Sequence, residues 1–346
     1  MTTVKRYIPQ MFIAAFLVIM LVMAIYSDVP VPGLINNSLV RLFMNGILVL
    51  SLVPMLRAGA GINYGLPIGI LAGLLGMSIA FNFGAAGLSG FLIVLLLAAV
   101  MGLVFGYGYA QVLNRVRGRE EIAGVFCGFA AVYIMSFFWA VAPFGNPEML
   151  WPIGGQGMRP TIGLSGSLGG VLNRLGLISV GDLEIPIGGI AFFLLLCFLL
   201  QLFFKTRLGT AISAVGENPE FAHLSGLNIE QVRLTAIVMS TILGAVGICV
   251  YAQSYGFLEL YESPLMMAFP AASAILLGGS AGSKTTVIQA IIGTFLFQSV
   301  YVISGPMANS LLVPELSEIM RVIITSGIIL YALMYEGERG SGYEKS

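Results

Sequence analysis

The stretch "LSGFLIVLLLAAVMGLVFGYGYAQVL", Leu88 to Leu113, contains no charged residue over its 26 positions. A helix needs about 20 apolar residues to cross the hydrocarbon core of a bilayer, so this stretch predicts a membrane-spanning helix. Similar runs recur along the chain, which is 58% hydrophobic and 9% charged. Soluble domains carry roughly 25% charged residues. We therefore expect an all-α integral membrane protein with a single transmembrane domain over residues 1–346.

About ten spans are predicted from these apolar runs. They cover residues 8–26, 42–58, 65–83, 88–113, 122–143, 186–204, 233–252, 267–279, 285–303 and 316–335. The run at 267–279 is too short for a full crossing, which indicates a broken or re-entrant segment. The longest connections are a cytoplasmic loop at 205–232 and an outer loop at 144–185, for which an ordered lid or short interfacial helix is expected.

The positive charges predict the orientation of these spans. With the N-terminus inside, twelve of the sixteen Lys and Arg residues fall at the cytoplasmic side. The four expected outside are Arg41, Arg159, Arg174 and Arg321. Positive charges favour cytoplasmic loops, so both termini are predicted to be cytoplasmic.

Glycine-rich breaks occur in both halves, in "RAGAGINYGLPIGILAGLLG" (57–76) and "GGSAGSKTT" (278–286). Their positions favour an inverted repeat of residues 42–143 and 233–335, although close helix packing explains the glycines equally well. The second break resembles a phosphate-binding loop, but Ser283 stands before Lys284 where that loop requires glycine. Nucleotide binding by this chain is therefore not expected.

The predicted spans contain no residue pattern typical of catalysis or metal binding. The carboxylates all fall in loops or near span ends, and His223 is the only histidine. Cys127, Cys197 and Cys249 lie in apolar runs without ligand spacing, so no catalytic residue, metal site, cofactor or nucleic-acid partner is predicted. Ion-coupled transport usually needs an ionisable group near the membrane midplane, so it is disfavoured. A sodium site built from carbonyls and hydroxyls remains an alternative.

The loop "AVGENPEFAHLSGLN" (214–228) predicts a short, rigid helix. Asn218 suits the N-cap, Pro219 the first helical position and Gly226 a left-handed C-terminal turn. Phe221 and Leu224 are three apart and share one face. That face could pack on the lipid interface or dock into a groove of a partner protein. If it docks, a charge at Phe221 or Ala222 is expected to prevent association without unfolding the chain.

The segment "RLGTAISAVGENPEFAHLSGLNIEQVRLTAIVMSTILGAVG" (207–247) resembles bacterial ABC importer permeases of the ribose, simple-sugar and nucleoside type, which are related to branched-chain amino-acid permeases. The residues that match the family pattern are Gly209, Ala214, Gly216, Asn218, Ala222, Ser225 and Gly226, with Leu227 at an isoleucine position. The downstream stretch "FPAASAILLGGSAGSKTTVIQAIIGTFLFQSV" resembles the second glycine-rich segment of the family.

The resemblance implies that the 214–228 loop is a coupling helix that docks on a separate ATPase subunit. The coupling residues would be Gly216, Glu217, Asn218, Pro219, Glu220, Phe221, Ala222, His223 and Leu224. Sugar permeases of this family read like G-G-I-D-L-S-V-G near the third span, whereas this chain has "GAGINYGLP". Asn63 and Tyr64 therefore become candidates for lining the solute pathway, or else they only pack the broken helix.

The resemblance also implies the partners and the cell location. We expect a multi-pass permease of the bacterial cytoplasmic membrane, surrounded by lipid, that moves a small polar solute such as a sugar or nucleoside. An identical or sister permease would complete the pore, and an extracytoplasmic binding protein would deliver the solute. The alternatives are an ion-driven secondary transporter, a permease for branched-chain amino acids or a vitamin, and a membrane scaffold protein.

Overall fold

The computed structural model describes residues 8–27, 29–151, 157–280 and 282–311, together with 319, 323, 326, 327 and 330. The helices are α1 (Ile8–Tyr26), α2 (Val31–Leu50), α3 (Leu52–Arg57), α4 (Leu66–Asn82), α5 (Gly87–Arg115), α6 (Glu120–Val141), α7 (Val171–Arg174), α8 (Ile187–Phe203), α9 (Arg207–Glu217), α10 (Pro219–Leu224), α11 (Ile229–Tyr255), α12 (Ser263–Leu277) and α13 (Val287–Leu311). The strands are β1 (Thr161–Gly163), β2 (Leu177–Val180), β3 (Leu183–Pro186) and β4 (Phe257–Glu259).

Each predicted span from 8–26 to 285–303 contains a helix, so the helical class is confirmed. Within the described ranges, five helices are long and apolar enough to cross a membrane, or six if the bent α8–α9 pair is one span. The prediction of about ten spans is thus met only in part. Most of the predicted span 316–335 lies outside the described residues, and the inverted repeat stays a prediction.

The predicted span at 42–58 begins too late. The helical segment runs from Val31 to Arg57, with α2 and α3 in close succession. Pro30 and Pro32 at its start suit a helix N-terminus, where a missing N–H costs little. Arg41, which we expected in an outer loop, therefore lies within a helix.

The helix α11 lies at the centre of the fold and packs on α2, α4 and α5. Glycines allow this close approach: a Cβ at Gly73 of α4 would lie 2.3 Å from the Ala245 carbonyl oxygen of α11. A Cβ at Gly102 of α5 would lie 2.9 Å from the Ile242 Cα. Small residues at helix contacts are typical of membrane proteins, since tight packing replaces the hydrophobic driving force.

The short run predicted at 267–279 is α12, which starts earlier, at Ser263, and has 15 residues. A helix of that length spans only about 22 Å, less than the hydrocarbon core of about 30 Å. A 3-10 turn at Gly282–Lys284 then leads to α13. The prediction that this segment is too short for a full crossing is confirmed, and its broken or re-entrant course stays a prediction.

The outer loop at 144–185 is ordered by two small antiparallel sheets. Strand β1 pairs with β4 in the register Ile162 to Leu258, and β2 pairs with β3. The expectation of an all-α chain missed these sheets. The pairing of β1 with β4 joins segments nearly a hundred residues apart and has no local signal, whereas β2 and β3 form a hairpin around Gly181 and Asp182. The pairing of β1 with β4 links this loop to the C-terminal end of α11.

Candidate functional site

The predicted capped helix is α10, and its local geometry is confirmed. The Asn218 side chain accepts a hydrogen bond of 2.9 Å from the Phe221 N–H, and Pro219 is the first helical residue. Gly226 has φ +82°, the left-handed conformation predicted for it. Asn228 then caps α11 by accepting from the Gln231 N–H at 3.1 Å. Both ends of α10 are thus fixed by local chemistry.

The apolar side chains of α10 point in different directions. Phe221 is 64% exposed and Leu224 is 86% exposed, whereas Ala222 is fully buried. His223 is also exposed. A charge at Ala222 would therefore enter the packed interior and disturb the helix itself. A charge at Phe221, in contrast, would change only the exposed surface of α10.

The helix α9, which precedes α10, was not predicted. Its N-cap is Thr206, whose hydroxyl accepts from the Gly209 N–H at 3.3 Å. Its axis is bent by 76° from that of α8. The signal was present in the sequence, because the buried residues Ala211, Ile212 and Val215 recur at helical spacing.

The C-terminal end of α9 touches the backbone of the first glycine-rich break. A Cβ at Gly216 would lie 1.9 Å from the Arg57 carbonyl oxygen and 2.9 Å from the Gly59 nitrogen. Gly59 has φ +67°, which favours glycine there. The matching family residue Gly216 is thus required by contact between two backbones. A shift of α9 toward this break is therefore opposed directly by the Arg57–Gly59 backbone.

Arg57 links three segments that are distant in sequence. Its Nε–H donates a 2.9 Å hydrogen bond to the Thr285 carbonyl, just after the 3-10 turn. Its guanidinium lies 4.2 Å from the centre of the Phe204 ring, at the corner between α8 and α9. We call the segments Arg57–Gly61, Phe204–Gly216 and Gly282–Thr285 the junction.

Two carboxylates at the start of α6 connect this helix to its neighbours. Glu120 forms a buried ion pair with Arg233 of α11; the two side chains are 9% and 11% exposed. Glu121 accepts a 2.8 Å hydrogen bond from the Ile62 N–H, in the segment between α3 and α4. Because each carboxylate binds a different element, α6 is tied both to α11 and to the first break.

Asn63 lies in a buried polar cluster and is 1% exposed. Its Nδ2 donates to the Ser240 hydroxyl at 2.8 Å, and its Oδ1 accepts from the Tyr109 hydroxyl at 3.0 Å. These bonds satisfy the amide on both sides. Asn63 thus holds the break against α5 and α11.

Tyr64 borders a small open cavity between α4, α6 and α12 that has room for about one water molecule. Its ring centre lies 5.5 Å from that of Phe269. Pro67, Phe129 and Leu265 also line this cavity. The two predicted pathway residues therefore face different surroundings, since Asn63 is enclosed and Tyr64 borders a cavity.

A second cavity of similar size lies near the C-terminal end of α11 and against α12. It is bordered by Tyr251, Tyr255, Phe257, Glu259 and Ser263. The Tyr255 ring centre lies 5.7 Å from that of Tyr251 and 5.9 Å from that of Phe257. Both cavities thus adjoin the first half of the short helix α12, which contributes Ser263 and Met267 to one and Leu265, Ala268 and Phe269 to the other.

The comparison with known families now decides the class. The family described as "Branched-chain amino acid transport system / permease component" matches residues 34–335. The chain belongs to this permease family. With its apolar helices, it is a multi-pass permease of the bacterial cytoplasmic membrane, and the resemblance of residues 207–247 is confirmed.

Two curated relatives are similar to this permease. The first, "Nucleoside ABC transporter permease protein NupC" of Lactococcus lactis subsp. cremoris (strain MG1363), is 24% identical over 78% of this chain and 84% of its own length. The second, "Tyrosine transport system permease protein" of Clostridioides difficile (strain R20291), is 28% identical over 42% of this chain and 49% of its own length. The permease is therefore of the ABC-transporter type.

A methyl group at Gly216 is expected to destabilise the permease. Gly216→Ala places its Cβ against backbone atoms that cannot rotate away, and overpacking of this kind costs about 1–3 kcal/mol. SDS titration of the purified chain measures the loss in free energy of unfolding. The matched control is Gly108→Ala, because nothing lies within 4 Å of a Cβ at Gly108. Equal stability of the two variants would contradict the close contact at the junction.

Proposed function

We propose that this permease forms half of the membrane pathway of an ATP-driven importer for a small polar solute, with a nucleoside as the preferred candidate. The observation that carries the proposal is α10, a rigid helix that displays Phe221 and Leu224 to its surroundings. An exposed aromatic on a capped helix suits insertion into a groove of a partner. The membership of the ABC-type permease family makes a separate ATPase subunit the natural partner.

The coupling residues are proposed to be Gly216, Glu217, Asn218, Pro219, Glu220, Phe221, Ala222, His223 and Leu224. They divide into two roles. The exposed residues of α10 would contact the ATPase, while Ala222 and Gly216 would hold the helix on the permease.

Displacement of α10 would be transmitted to the solute pathway through the junction. Displacement of α9 presses Gly216 on the Arg57 backbone, and Arg57 is hydrogen-bonded to Thr285. Thr285 follows the break that ends α12, the helix that adjoins both cavities. Binding and release of ATP can shift the equilibrium between two states only through partner contacts that differ between those states. The contacts at the junction would transmit the change in ATPase binding from α9 to the segment that follows α12.

The solute would pass beside the first half of α12, where the cavity bordered by Tyr255 and the cavity bordered by Tyr64 both lie. Tyr64 is proposed to line this route. Asn63 is proposed to line it when the break opens, because its amide partners Ser240 and Tyr109 would then be separated from it. A second permease, identical or homologous, would close the pathway from the other side.

The fold also suggests where the solute-binding protein, the lipid and the second permease would contact this chain. A solute-binding protein would dock on the loop at 144–185. The sheet of β1 and β4 lies there at the end of α11, near the cavity bordered by Tyr255 and Phe257. The apolar faces of α5 and α6, with Leu96, Val104, Phe126 and Phe137 exposed, would meet lipid or the second permease.

The experiment is uptake into proteoliposomes that contain the permease, its co-purified ATPase and the solute-binding protein. We expect uptake of tritiated uridine only when ATP is enclosed with the ATPase side accessible. Vesicles with the permease alone and an imposed sodium or proton gradient serve as the control. Gradient-driven uptake without the ATPase would overturn the proposal in favour of a secondary transporter.

A further inference from the structure

The hairpin formed by β2 and β3 has an apolar face that the protein leaves largely uncovered. Its register places four apolar side chains on this face, namely Ile178, Val180, Leu183 and Ile185. The opposite face carries the pair of Ser179 and Glu184 and, at the base of the hairpin, Leu177 and Pro186. Ile178 is 50% exposed and Val180 is 64% exposed, so no described segment packs over them.

The helix α8 places the base of this hairpin at the outer boundary of the membrane. Pro186 of β3 leads directly into α8, whose 17 residues are all uncharged. The exposed Lys205 follows two residues after α8, and positive charges of this kind mark the cytoplasmic boundary. About 20 residues of helix cross the hydrocarbon core, so the outer boundary falls close to Ile185.

The side chain of Asn36 on α2 fixes the tip of the hairpin. Its Nδ2 donates a 3.2 Å hydrogen bond to the Asp182 carbonyl, and its Oδ1 accepts a 3.0 Å hydrogen bond from the Glu184 N–H. Because both bonds go to the backbone of the turn, they hold the tip at the level of Asn36 whatever side chains the turn carries. The hairpin is therefore attached to α2 at its tip and to α8 at its base.

The packing of α2 on α8 gives the height of the tip above the base. The Phe43 ring of α2 packs on Gly189 of α8. About one turn further along both helices, Gly46 packs on the Phe193 ring, so the two helices run in the same direction. Asn36 precedes Phe43 by about 10 Å along the axis, and the base of the hairpin precedes Gly189 by about 4.5 Å. The tip thus stands only about 6 Å further out than the base.

The hairpin therefore lies at a shallow angle to the membrane surface. The strand from Pro186 to Asp182 covers about 13 Å, more than twice the rise of its tip. The headgroup layer on one side of a bilayer is about 5–8 Å thick, since the whole bilayer measures about 40–45 Å and its hydrocarbon core about 30 Å. The whole hairpin fits within that layer. Ile187, which is 40% exposed, continues the apolar surface from the hairpin onto α8.

We propose that the β2–β3 hairpin is an interfacial anchor whose apolar face lies in the outer leaflet of the lipid bilayer. Ser179 and Glu184 face water on the other side of the hairpin. Lipid is the occupant because the face stands at the depth of the membrane boundary and continues into the exposed apolar side of α8, and exposed patches of this kind mark membrane contacts. Since Asn36 joins the anchor to α2, the anchor holds the outer ends of α2 and α8 at one depth.

The test is quenching of the fluorophore NBD on single cysteines, with the full chain in nanodiscs of phosphatidylcholine and phosphatidylglycerol and with the native cysteines replaced by alanine. Ile178→Cys and Val180→Cys report on the apolar face, and Ser179→Cys and Glu184→Cys are the matched controls on the opposite face. On the apolar face we expect blue-shifted emission and quenching by lipids that carry a nitroxide high on the acyl chain. Iodide in the water should quench the two controls and lose most of its effect on the apolar face, because alternate side chains of a strand point to opposite sides.

Two outcomes would overturn the anchor. Equal quenching by iodide at all four positions would place the whole hairpin in water. Shielding of the apolar face only after the solute-binding protein is added would make it a docking surface for that protein instead. Size-exclusion elution like that of the wild type shows that a labelled chain is folded, and the two positions on the apolar face test the anchor independently of each other. The quenching pattern does not depend on the importer function, because it is measured on the permease alone.

Discussion

Replacement of Phe221 by aspartate is expected to abolish association with the ATPase and to lower ATP-driven uptake at least about thirtyfold. The side chain is 64% exposed, so the change leaves the permease interior untouched. A charge placed in an apolar docking groove has no partner there, and loss of a central aromatic anchor costs about 2 kcal/mol or more. Leu224→Asp, at the other displayed position of α10, should act in the same direction. Co-purification of the tagged complex and uptake in proteoliposomes measure both effects.

The matched control is Val180→Asp. Val180 has the same exposed fraction, 64%, but lies on β2 in the outer loop. Its substitution should leave ATPase association unchanged. Normal uptake by Phe221→Asp would contradict the docking role of α10, whereas loss of uptake with intact association would move the role of Phe221 from docking to a later step of the cycle.

Replacement of Arg233 by methionine is expected to cause the largest loss of stability. It leaves the Glu120 carboxylate buried without its cation, and breaking one partner of a buried ion pair costs about 3–5 kcal/mol. The free energy of unfolding falls because the carboxylate has been removed from water and no longer has a cation that stabilises its charge. Unfolding by SDS titration, followed by tryptophan fluorescence or circular dichroism, measures the change.

The double variant Glu120→Leu/Arg233→Met separates the ion pair from simple packing. Removing both charges should recover most of the lost stability, because a buried pair is often matched by apolar residues of similar volume. If the double variant is as unstable as Arg233→Met, the cost arises from lost packing at the contact between α6 and α11. Glu121→Gln provides a reference, since this neighbour binds the Ile62 N–H and no cation in the described part of the chain.

Local chemistry explains which features could be predicted. The caps at Asn218, Gly226 and Asn228 depend on residues within a few positions of each other, and the structure has all three. The apolar runs likewise predict helices, because a backbone in lipid must satisfy its own hydrogen bonds. The start of α2 was missed because Asn36, Asn37 and Arg41 lower the apolar character of its first half. Helix α9 was missed because its short amphipathic pattern lies among polar residues.

The sequence by itself determined the membrane class, the permease family and a rigid capped helix with Phe221 on display. These follow from composition, motif spacing and bonds between near neighbours. Only the tertiary structure decided that Arg57 binds Thr285, 228 positions away, and that Gly216 presses on the same arginine's backbone. It also moved Arg41 from an expected outer loop to a helix beside Tyr301. Contacts of this kind join segments whose residues carry no shared local pattern, so they exist only once the helices have packed.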